Sequence, residues 1–585
     1  MIAISRPANA TPLTRLLSLF GLMLVGFLGC ERPSTPPTPA PPSTGTTAAA
    51  PPRPVQANAI EIVFPYGSEK KAWIDAATSE FEATSPKTAS GRPVVIKPMP
   101  MGSGDVVDET LSGRLQAHIV SPASAAFVKL GNAKSQATTG GPLVGLTQDL
   151  VLSPVVIAMW KPMAEALGWP SKEIGWSDIL SLANNPQGWG SLGKPQWGQF
   201  RFGHTHPEYS NSGLMAVIAQ IYAFTGKTAN LTLTDLQGPS VGQQLEQIQR
   251  SLVHYGDSTG FFAKKMFAGG PSYLSAAVLY ENTIIEAMTA PPGSAGAPAL
   301  PVVAIYPKEG TFWSDHPIGI VQRAWVTAEH QDAANQYIKF LLSRQQQTKA
   351  MALGFRPSDV GIALGSPIET ASGVGPKQPV TTLQAPEADV INAAIELWRI
   401  HKKKSDIVLV MDTSGSMGKD RRMENARPGA VALLEMLGNE DHFSLLSFSS
   451  KSNWAMRSVK VADQRSQAIE AVNGLFPGGG TALYDSIAEA YAYLATQQKA
   501  YPDRIAAVIV LTDGEDTESK LKLAGLLAQI QADAERQSIR VFTIGYGNEA
   551  DGKILQSIAD KTGAKFYKGT PQNIRQVFKE IATFF

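Results

Sequence analysis

The chain has 585 residues, a formal net charge of +1, a hydrophobic content of 43% and one cysteine. This length exceeds what one hydrophobic core normally supports, so we expect several domains. The near-zero charge gives no electrostatic reason to expect nucleic-acid binding, and one cysteine excludes an internal disulfide.

Residues 1–30 have the pattern of an export signal. Two arginines precede an apolar run from Leu16 to Leu28, which is too short to span a bilayer comfortably and matches a secretory signal. The segment from Phe27 to Cys30 resembles a bacterial lipoprotein processing site, which implies lipidation of Cys30. The alternatives are an N-terminal membrane anchor and an ordinary signal peptide with an incidental cysteine.

Residues 31–57 are rich in Pro, Thr, Ser and Ala. Such a composition cannot build a core and predicts an extended, disordered tether. A tether behind a lipid site is what a surface-held domain requires. We therefore expect an exported protein held at the cell envelope, on the periplasmic side or at the cell surface.

From residue 58 to 368, short apolar strands alternate with helical stretches, and Ser- or Gly-containing turns join them. This alternation of strands, turns and helices predicts a doubly wound α/β lobe. Strands are predicted at 60–64, 94–99, 151–159, 276–279 and 301–306, and helices at 70–83, 106–115, 210–224 and 333–342.

The order of elements in 58–368 resembles the type 2 periplasmic solute-binding protein fold. The resemblance rests on the turns at 67–68 and 102–104, the crossover strand 151–159, the helix opening at 208–213 and the closing segment 355–357. It implies a bilobed clamp with a ligand between the lobes.

Five residues of this region are candidate solute-binding residues. Serine hydroxyls and unpaired backbone N–H groups at helix N-termini suit a small oxyanion or a polar solute. The alternative is that each serine merely caps its own helix, and that the cleft serves as a spacer or a protein-binding platform. The candidates are Ser68, Ser103, Ser121, Ser212 and Tyr280.

Residues 369–404 read as a linker followed by a short helix. Apolar residues recur at helical spacing between Asp389 and Ile400, which predicts a helix packed on a domain surface. The run Lys402-Lys403-Lys404 is expected to be a solvated group of charges.

Residues 405–585 alternate strands and helices again, which predicts a second, Rossmann-like α/β domain. Strands are predicted at 406–411, 443–448, 505–511 and 540–544, with an antiparallel edge strand at 452–459. Helices are predicted at 425–437, 466–472, 482–496, 521–537, 552–559 and 572–581.

Five oxygen-bearing residues of this domain predict a divalent-cation site. They are Asp412, Ser414, Ser416, Thr481 and Asp513. Two of the three segments directly follow predicted strands, and ligands of open parallel sheets bind where strands end. Carboxylate and hydroxyl oxygens suit a hard cation, which argues against zinc or copper. The alternative is that these are ordinary turn and cap residues.

The pattern Asp412-Thr413-Ser414-Gly415-Ser416, followed by Thr481 and Asp513, resembles the metal-ion-dependent adhesion site of von Willebrand factor A (VWA) domains. The resemblance implies that these five residues hold Mg²⁺, or Mn²⁺ or Ca²⁺. It also implies that an Asp or Glu of a protein partner completes the ion's coordination. Because the last predicted helix ends the sequence, we expect a static adhesive site without a second domain to move.

No catalytic motif emerges: the sequence lacks a phosphate-binding loop, a His-Glu-x-x-His pair and a Gly-x-Ser-x-Gly elbow, so we expect no enzyme. Two functions remain. The first is an envelope-anchored protein whose VWA domain binds a protein partner through a cation. The second is a transport-linked receptor for a small solute, with the VWA domain as an accessory module.

Overall fold

The computed structural model describes residues 58–294, 296–530, 539–547 and 549–585. The expected export signal with Cys30 and the expected tether at 31–57 lie outside the described residues. Within these ranges, every helix is too short or too polar to cross a bilayer.

The first half of the described chain contains the clamp. Its strands are β1 (Ile60–Gly67), β2 (Val94–Met101), β3 (Ile119–Val120), β4 (Val144–Asp149), β5 (Val151–Trp160), β6 (Phe202–Thr205), β7 (Leu252–Gly256), β8 (Ala276–Tyr280), β9 (Val302–Ile305), β10 (Trp313–Ser314), β11 (Pro317–Val321) and β12 (Arg356–Pro357). Its helices are α1 (Lys71–Ala83), α2 (Ser103–Leu111), α3 (Ala125–Thr139), α4 (Lys161–Ala166), α5 (Trp176–Ala183), α6 (Asn211–Thr225), α7 (Leu233–Leu236), α8 (Pro239–Arg250), α9 (Thr259–Gly269), α10 (Glu281–Thr289), α11 (Ala328–Leu341), α12 (Arg344–Ala352) and α13 (Ala388–His401).

These strands form two lobes. In lobe 1, β1 pairs with β2 in parallel, β11 lies between β3 and β4, and a bridge from Tyr66 to Ser121 joins the two groups. In lobe 2, β5 to β10 and β12 form a seven-stranded mixed sheet. The chain enters lobe 2 through β5, which coincides with the predicted crossover strand at 151–159. The prediction of a bilobed α/β clamp is confirmed.

The second half contains the VWA-like domain. Its strands are β13 (Ser405–Asp412), β14 (His442–Phe448), β15 (Ser452–Lys460), β16 (Ile505–Thr512), β17 (Arg540–Tyr546) and β18 (Phe566–Gly569). Its helices are α14 (Arg422–Met436), α15 (Val461–Asn473), α16 (Leu483–Ala500), α17 (Leu523–Gln529), α18 (Gly552–Lys561) and α19 (Ile574–Ala582).

The six strands of this domain form one sheet in the order β15-β14-β13-β16-β17-β18. All pairs are parallel except β14 with β15, as the predicted antiparallel edge strand requires. All eight residues of β13 and of β16 are buried, because helices cover both faces of a parallel sheet. The helix predicted at 521–537 ends earlier, at Gln529, and residues 531–538 lie outside the described residues.

The prediction that the charges at 402–404 are solvated is wrong for two of the three lysines, because Lys402 and Lys403 are buried between the clamp and the VWA-like domain. Lys402 Nζ lies 3.0 Å from Asp441 Oδ2. Lys403 Nζ donates to the carbonyl oxygens of Leu252 at 2.6 Å and Arg250 at 3.3 Å. Helix α13 packs on α6 and α8 of lobe 2, and β13 begins shortly after it. The lysines between them therefore lie at the interface between the clamp and the VWA-like domain.

The expectation that the last helix has no second domain to act on is also wrong. Lys579 of α19 forms an ion pair with Asp105 of lobe 1. Two residues beyond α19, the Phe584 ring stacks on His254 of lobe 2 with centroids 3.9 Å apart. The helix is therefore packed between its own domain and both lobes of the clamp.

Candidate functional site

The five predicted metal-ligating residues lie at one edge of the VWA-like sheet. Asp412 is the last residue of β13, and Asp513 directly follows β16. These two strands are hydrogen-bonded neighbours in parallel register, with Met411 opposite Leu511. Two carboxylates a hundred residues apart in sequence therefore emerge side by side, where open parallel sheets bind ligands.

Hydrogen bonds connect four of the five residues. The backbone N–H of Ser414 donates to Asp412 Oδ1 at 2.7 Å, and the hydroxyl oxygens of Ser414 and Ser416 lie 2.9 Å apart. Ser416 Oγ then donates to Asp513 Oδ1 at 2.7 Å. The oxygen atoms that the sequence singled out are thus neighbours, within the distances that a shared ion requires.

The Gly-rich loop brings the fifth residue, Thr481, to the same place. The N–H of Gly478 donates to the carbonyl of Thr413 at 2.7 Å, and Gly479 accepts from the N–H of Gly415 at 3.0 Å. A Cβ atom on Gly514 would lie 3.8 Å from Ser416 Oγ and 3.9 Å from Thr481 Oγ1. Both hydroxyls therefore approach the same point beside Asp513.

The donor set fits a hard divalent cation. It contains two carboxylates and three hydroxyls, and hydroxyl and carboxylate oxygens are the ligands that Mg²⁺ and Ca²⁺ prefer. Within the described ranges, no cluster of three or more His, Cys, Asp or Glu residues is placed to hold a metal, so an ion here depends on the hydroxyls. Asp412 and Asp513 are fully buried while Gly415 and Gly479 are exposed, which leaves one side of the site open to solvent.

Burial raises the pKa of the Asp412 carboxyl, and the nearby Asp513 charge raises it further, although bonds from Ser414 and Thr512 oppose this. Two buried carboxylates in proximity repel each other. A cation between them would remove that repulsion.

Sequence reasoning missed two residues that contact the site, Thr512 and Arg422, and a third, Glu549, that contacts Arg422. Thr512 Oγ1 donates to Asp412 Oδ2 at 2.5 Å. Arg422 Nη1, at the start of α14, donates to Asp513 Oδ2 at 2.7 Å and to Glu549 Oε2 at 3.0 Å. A basic residue at a helix N-terminus, where the macrodipole favours acidic ones, is the sequence signal that could have indicated Arg422.

The five candidate solute-binding residues are all buried where the lobes of the clamp meet. Ser68 Oγ donates to Ser258 Oγ of lobe 2 at 3.0 Å, and Ser103 Oγ accepts from the N–H of Ala123 at 2.9 Å. Ser212 Oγ accepts from Thr259 Oγ1 at 2.9 Å. The hydroxyl groups of Ser68, Ser103 and Ser212 therefore bond to residues outside their own helices, which does not agree with the alternative in which each serine caps its own helix.

The other two candidates also lie in this region. Tyr280 Oη accepts a hydrogen bond from Asn211 Nδ2 at 3.0 Å. Ser121 Oγ, Asn211 Oδ1 and His316 Nε2 are buried polar atoms without a hydrogen-bond partner. Because buried polar atoms are normally paired, each of these three is an unusual feature of the clamp.

A buried charged cluster, which the sequence did not indicate, lies beside Tyr280. Lys70 Nζ lies 2.9 Å from Glu69 Oε1 and 3.1 Å from His316 Nδ1. Burial and, second, the Lys70 charge together lower the pKa of His316 to about 4, so the imidazole is neutral at neutral pH. The cluster therefore carries one positive and one negative charge and is neutral as a whole.

The fold defines a two-part protein: a bilobed clamp followed by a VWA-like domain that carries the five-residue motif. The family described as bacterial extracellular solute-binding protein matches residues 63–356, half of the chain. The von Willebrand factor type A domain matches residues 406–580. The chain therefore belongs to the bacterial extracellular solute-binding protein family and carries a VWA domain behind its clamp.

Two curated proteins illustrate the similarity. An uncharacterized protein of Mycobacterium tuberculosis (strain ATCC 25618 / H37Rv) is 21% identical over 467 residues, covering 74% of this chain and 63% of that protein. Inter-alpha-trypsin inhibitor heavy chain H4 of Sus scrofa is 27% identical over 173 residues, covering 29% of this chain and 18% of that protein. The chain thus spans less than two thirds of the length of either relative.

Solved structures resemble the two halves separately. A periplasmic thiamin binding protein is 13% identical, with a TM-score of 0.42, and the match covers 59% of this chain and 97% of that one. Proximal thread matrix protein 1 from the mussel byssus, with a zinc-occupied MIDAS motif, is 16% identical, with a TM-score of 0.27. That match covers 31% of this chain and 47% of the mussel protein.

Proposed function

We propose that this is an exported, envelope-held binding protein whose VWA domain binds a protein partner through a divalent cation. Asp412, Ser414, Ser416, Thr481 and Asp513 would hold the cation, with Mg²⁺ the expected ion and Mn²⁺ or Ca²⁺ as alternatives. An Asp or Glu side chain of the partner would complete its coordination.

One observation carries this proposal: the hydrogen-bonded chain from Ser414 through Ser416 to Asp513 at the ends of β13 and β16. It supports a shared ion because it brings oxygen atoms of the loop after β13 to within hydrogen-bond distance of the carboxylate that follows β16. In contrast, turn or cap residues with independent roles would bond to their own loops and would have no reason to meet.

The charge balance supports an acidic partner. Two ligand carboxylates compensate the two charges of Mg²⁺, and the Arg422 guanidinium beside Asp513 adds one positive charge. A bound Mg²⁺ would offer an electrophilic position toward solvent, since it usually keeps some coordination sites for water or ligand. A carboxylate is the protein group that best matches such a position.

Isothermal titration of the full chain with MgCl₂ tests the metal site. Asp412→Asn keeps an acceptor for the Ser414 N–H, places an amide donor against the Thr512 hydroxyl, which can accept, and removes a charge, so we expect loss of Mg²⁺ binding with the fold preserved. Asp463→Asn is the matched control, because Asp463 is an exposed aspartate of the same domain, on α15. Wild-type Mg²⁺ affinity in Asp412→Asn would refute the proposal.

The partner is tested separately, by capture from envelope extract on the immobilised chain in Mg²⁺ or EDTA. We expect a protein that binds wild type in Mg²⁺, is released by EDTA and does not bind Asp412→Ala. Capture that is indifferent to EDTA and to the substitution would remove the adhesive role, even if the ion itself binds.

We further propose that Cys30 is lipidated and holds the protein at the membrane. The apolar run before Gly29-Cys30 supports this proposal. In cells, Cys30→Ser should shift the protein from the membrane fraction to the soluble fraction and abolish incorporation of a labelled fatty acid. Continued membrane association of the variant would favour an uncleaved anchor.

A second candidate function, solute reception by the clamp, is favoured by the unpartnered buried atoms of Ser121, Asn211 and His316. The neutral Glu69–Lys70–His316 cluster makes a neutral polar solute a better match than an oxyanion. Titration with phosphate, sulfate, amino acids and sugars distinguishes these cases. Asn211→Leu should abolish binding of any solute found, and an absence of heat with every probe would favour a clamp that serves as a platform.

A further inference from the structure

The two lobes of the clamp touch directly at the mouth of the cleft. Ser68 Oγ of lobe 1 accepts a hydrogen bond from the N–H of Gly260 of lobe 2 at 3.1 Å. The N–H of Gly104 in lobe 1 donates to the carbonyl of Tyr209 in lobe 2 at 2.8 Å. A Cβ atom on Gly102 would collide with that same carbonyl oxygen, so glycine permits this close approach. The clamp is closed in this structure.

Helix α19 of the VWA domain lies across this junction. Lys579 Nζ is 2.5 Å from Asp105 Oδ1 and 3.4 Å from Glu109 Oε1, both on α2 of lobe 1. The same ammonium group lies 5.0 Å over the ring of Tyr209 in lobe 2. One side chain of the VWA domain therefore contacts both lobes, and only 16% of it is exposed.

The residues after α19 anchor it to lobe 2. The Phe584 ring stacks on His254 at 3.9 Å with an interplanar angle of 10°. The carbonyl of Phe584 accepts from the N–H of Tyr255 at 3.3 Å, and Lys265 Nζ lies 4.7 Å over the Phe584 ring. With this end fixed, α19 cannot follow lobe 1 if the lobes separate.

The other face of α19 is fixed to the VWA domain. Helix α14 approaches it closely at Gly429, where a Cβ atom would lie only 2.6 Å from the Phe578 ring. Val577, Phe578 and Ile581 are buried in the same core. Lobe opening must therefore break the contacts of Lys579 with α2, because α19 is held on its two other sides.

We propose that α19 acts as a strap, meaning that the VWA domain holds the clamp closed through this helix. Lys579 is the residue of the strap that contacts both lobes. Opening would separate the Lys579 ammonium group from Asp105 and Glu109, so it would break the close polar contact that joins α19 to α2. Any solute that enters the cleft must then displace the strap, so the VWA domain controls access to the clamp.

Hydrogen exchange of the full chain, without added metal, tests the strap independently of any ligand. The reporters are the amides of Gly104 and Gly260, whose acceptors belong to the opposite lobe. Lys579→Met keeps the apolar part of the side chain and removes the charge. We expect both amides to exchange about tenfold faster, because local opening sets their protection. Lys561→Met, an exposed lysine of the same domain, is the matched control and should leave both rates unchanged.

Wild-type exchange at both amides in Lys579→Met would overturn the proposal. Protection of β13 and β16 in the same experiment shows whether the VWA domain stays folded. If Lys579→Met unfolds, Asp105→Asn removes the charge at the other end of the contact and should accelerate the same two amides. Unchanged rates in that variant would likewise overturn it.

Discussion

The guanidinium of Arg422 donates a hydrogen bond to the carboxylate of Asp513 across 2.7 Å. Asp513 is one of the five candidate metal ligands, so a fixed positive charge lies against the site that we propose to hold a cation. Arg422 is itself buried to all but 9% of its surface, which strengthens its electrostatic effect because water screens it little.

Arg422→Met should therefore tighten Mg²⁺ binding. Removing a positive charge near the ion should lower the Mg²⁺ dissociation constant by about tenfold, or about 1.4 kcal/mol. Titration calorimetry measures this, and Arg421→Met, whose side chain is 80% exposed, should have little effect. Weaker Mg²⁺ binding in Arg422→Met would mean that the arginine positions Asp513 instead of competing with the ion.

Asp406 should make the protein less stable as the pH rises from 4 to 6. Both of its carboxylate oxygens are buried without a hydrogen-bond partner, and burial raises its pKa to about 6. Since the folded state then binds a proton that the unfolded state has lost, the free energy of unfolding falls across this window. The loss is about 2–3 kcal/mol, complete above pH 6.

Asp406→Asn should remove this pH dependence. We expect the variant to be more stable than wild type above pH 6 and no more stable below pH 4, as measured by urea unfolding at several pH values. The exposed Asp463→Asn is the control. Equal pH profiles for wild type and Asp406→Asn would contradict the expectation.

Lys403 should make the free energy of unfolding rise with pH, at higher pH values than those at which Asp406 makes it fall. Burial lowers its pKa to about 7, so between pH 7 and about 10 the unfolded chain binds the extra proton and stability rises with pH. Below pH 7 the burial of the charged Lys403 ammonium group lowers the free energy of unfolding by its full amount, on the order of a few kcal/mol. Because the ammonium group donates to the carbonyl oxygens of Leu252 and Arg250, Lys403→Met should flatten this rise relative to wild type.

Unfolding at pH 7 and pH 9.5 measures this effect as a difference between variant and wild type, which cancels other titrating lysines. Lys499→Met, exposed on α16, should preserve the wild-type slope. A Lys403→Met profile parallel to wild type would show that the ammonium group is not the source.

Arg356 and Glu281 should behave as a coupled buried pair. Arg356 Nε and Nη2 each donate to the Glu281 carboxylate at 2.8 Å, joining β12 to α10 in lobe 2. Arg356→Met should cost about 3–5 kcal/mol because it leaves the buried Glu281 carboxylate without a cationic partner, while the Tyr306 hydroxyl still donates to it. Arg356→Met/Glu281→Leu should recover most of the loss, and additive losses in this double-mutant cycle would contradict the coupling.

Much of the fold was predictable because its signals are local. The apolar runs that became β13 and β16 identify buried parallel strands without any knowledge of their neighbours. The metal motif was predictable for the same reason, since Asp412, Ser414 and Ser416 occupy one short loop. The boundaries were less accurate: α15 begins at Val461, five residues before its predicted start, because a short turn precedes a kink at Gln464 and is continuous with the helix.

The sequence by itself determined which residues could hold a cation and that the chain contains two α/β units, because residue chemistry and periodicity act over a few neighbouring positions. Only the tertiary structure decided that Arg422 contacts Asp513, that Lys403 is buried, and that Lys579 reaches Asp105 in another domain. Those contacts join residues far apart in the chain. A charged side chain has the same local signature whether it meets water or a buried partner, so packing alone determines which of the two it meets.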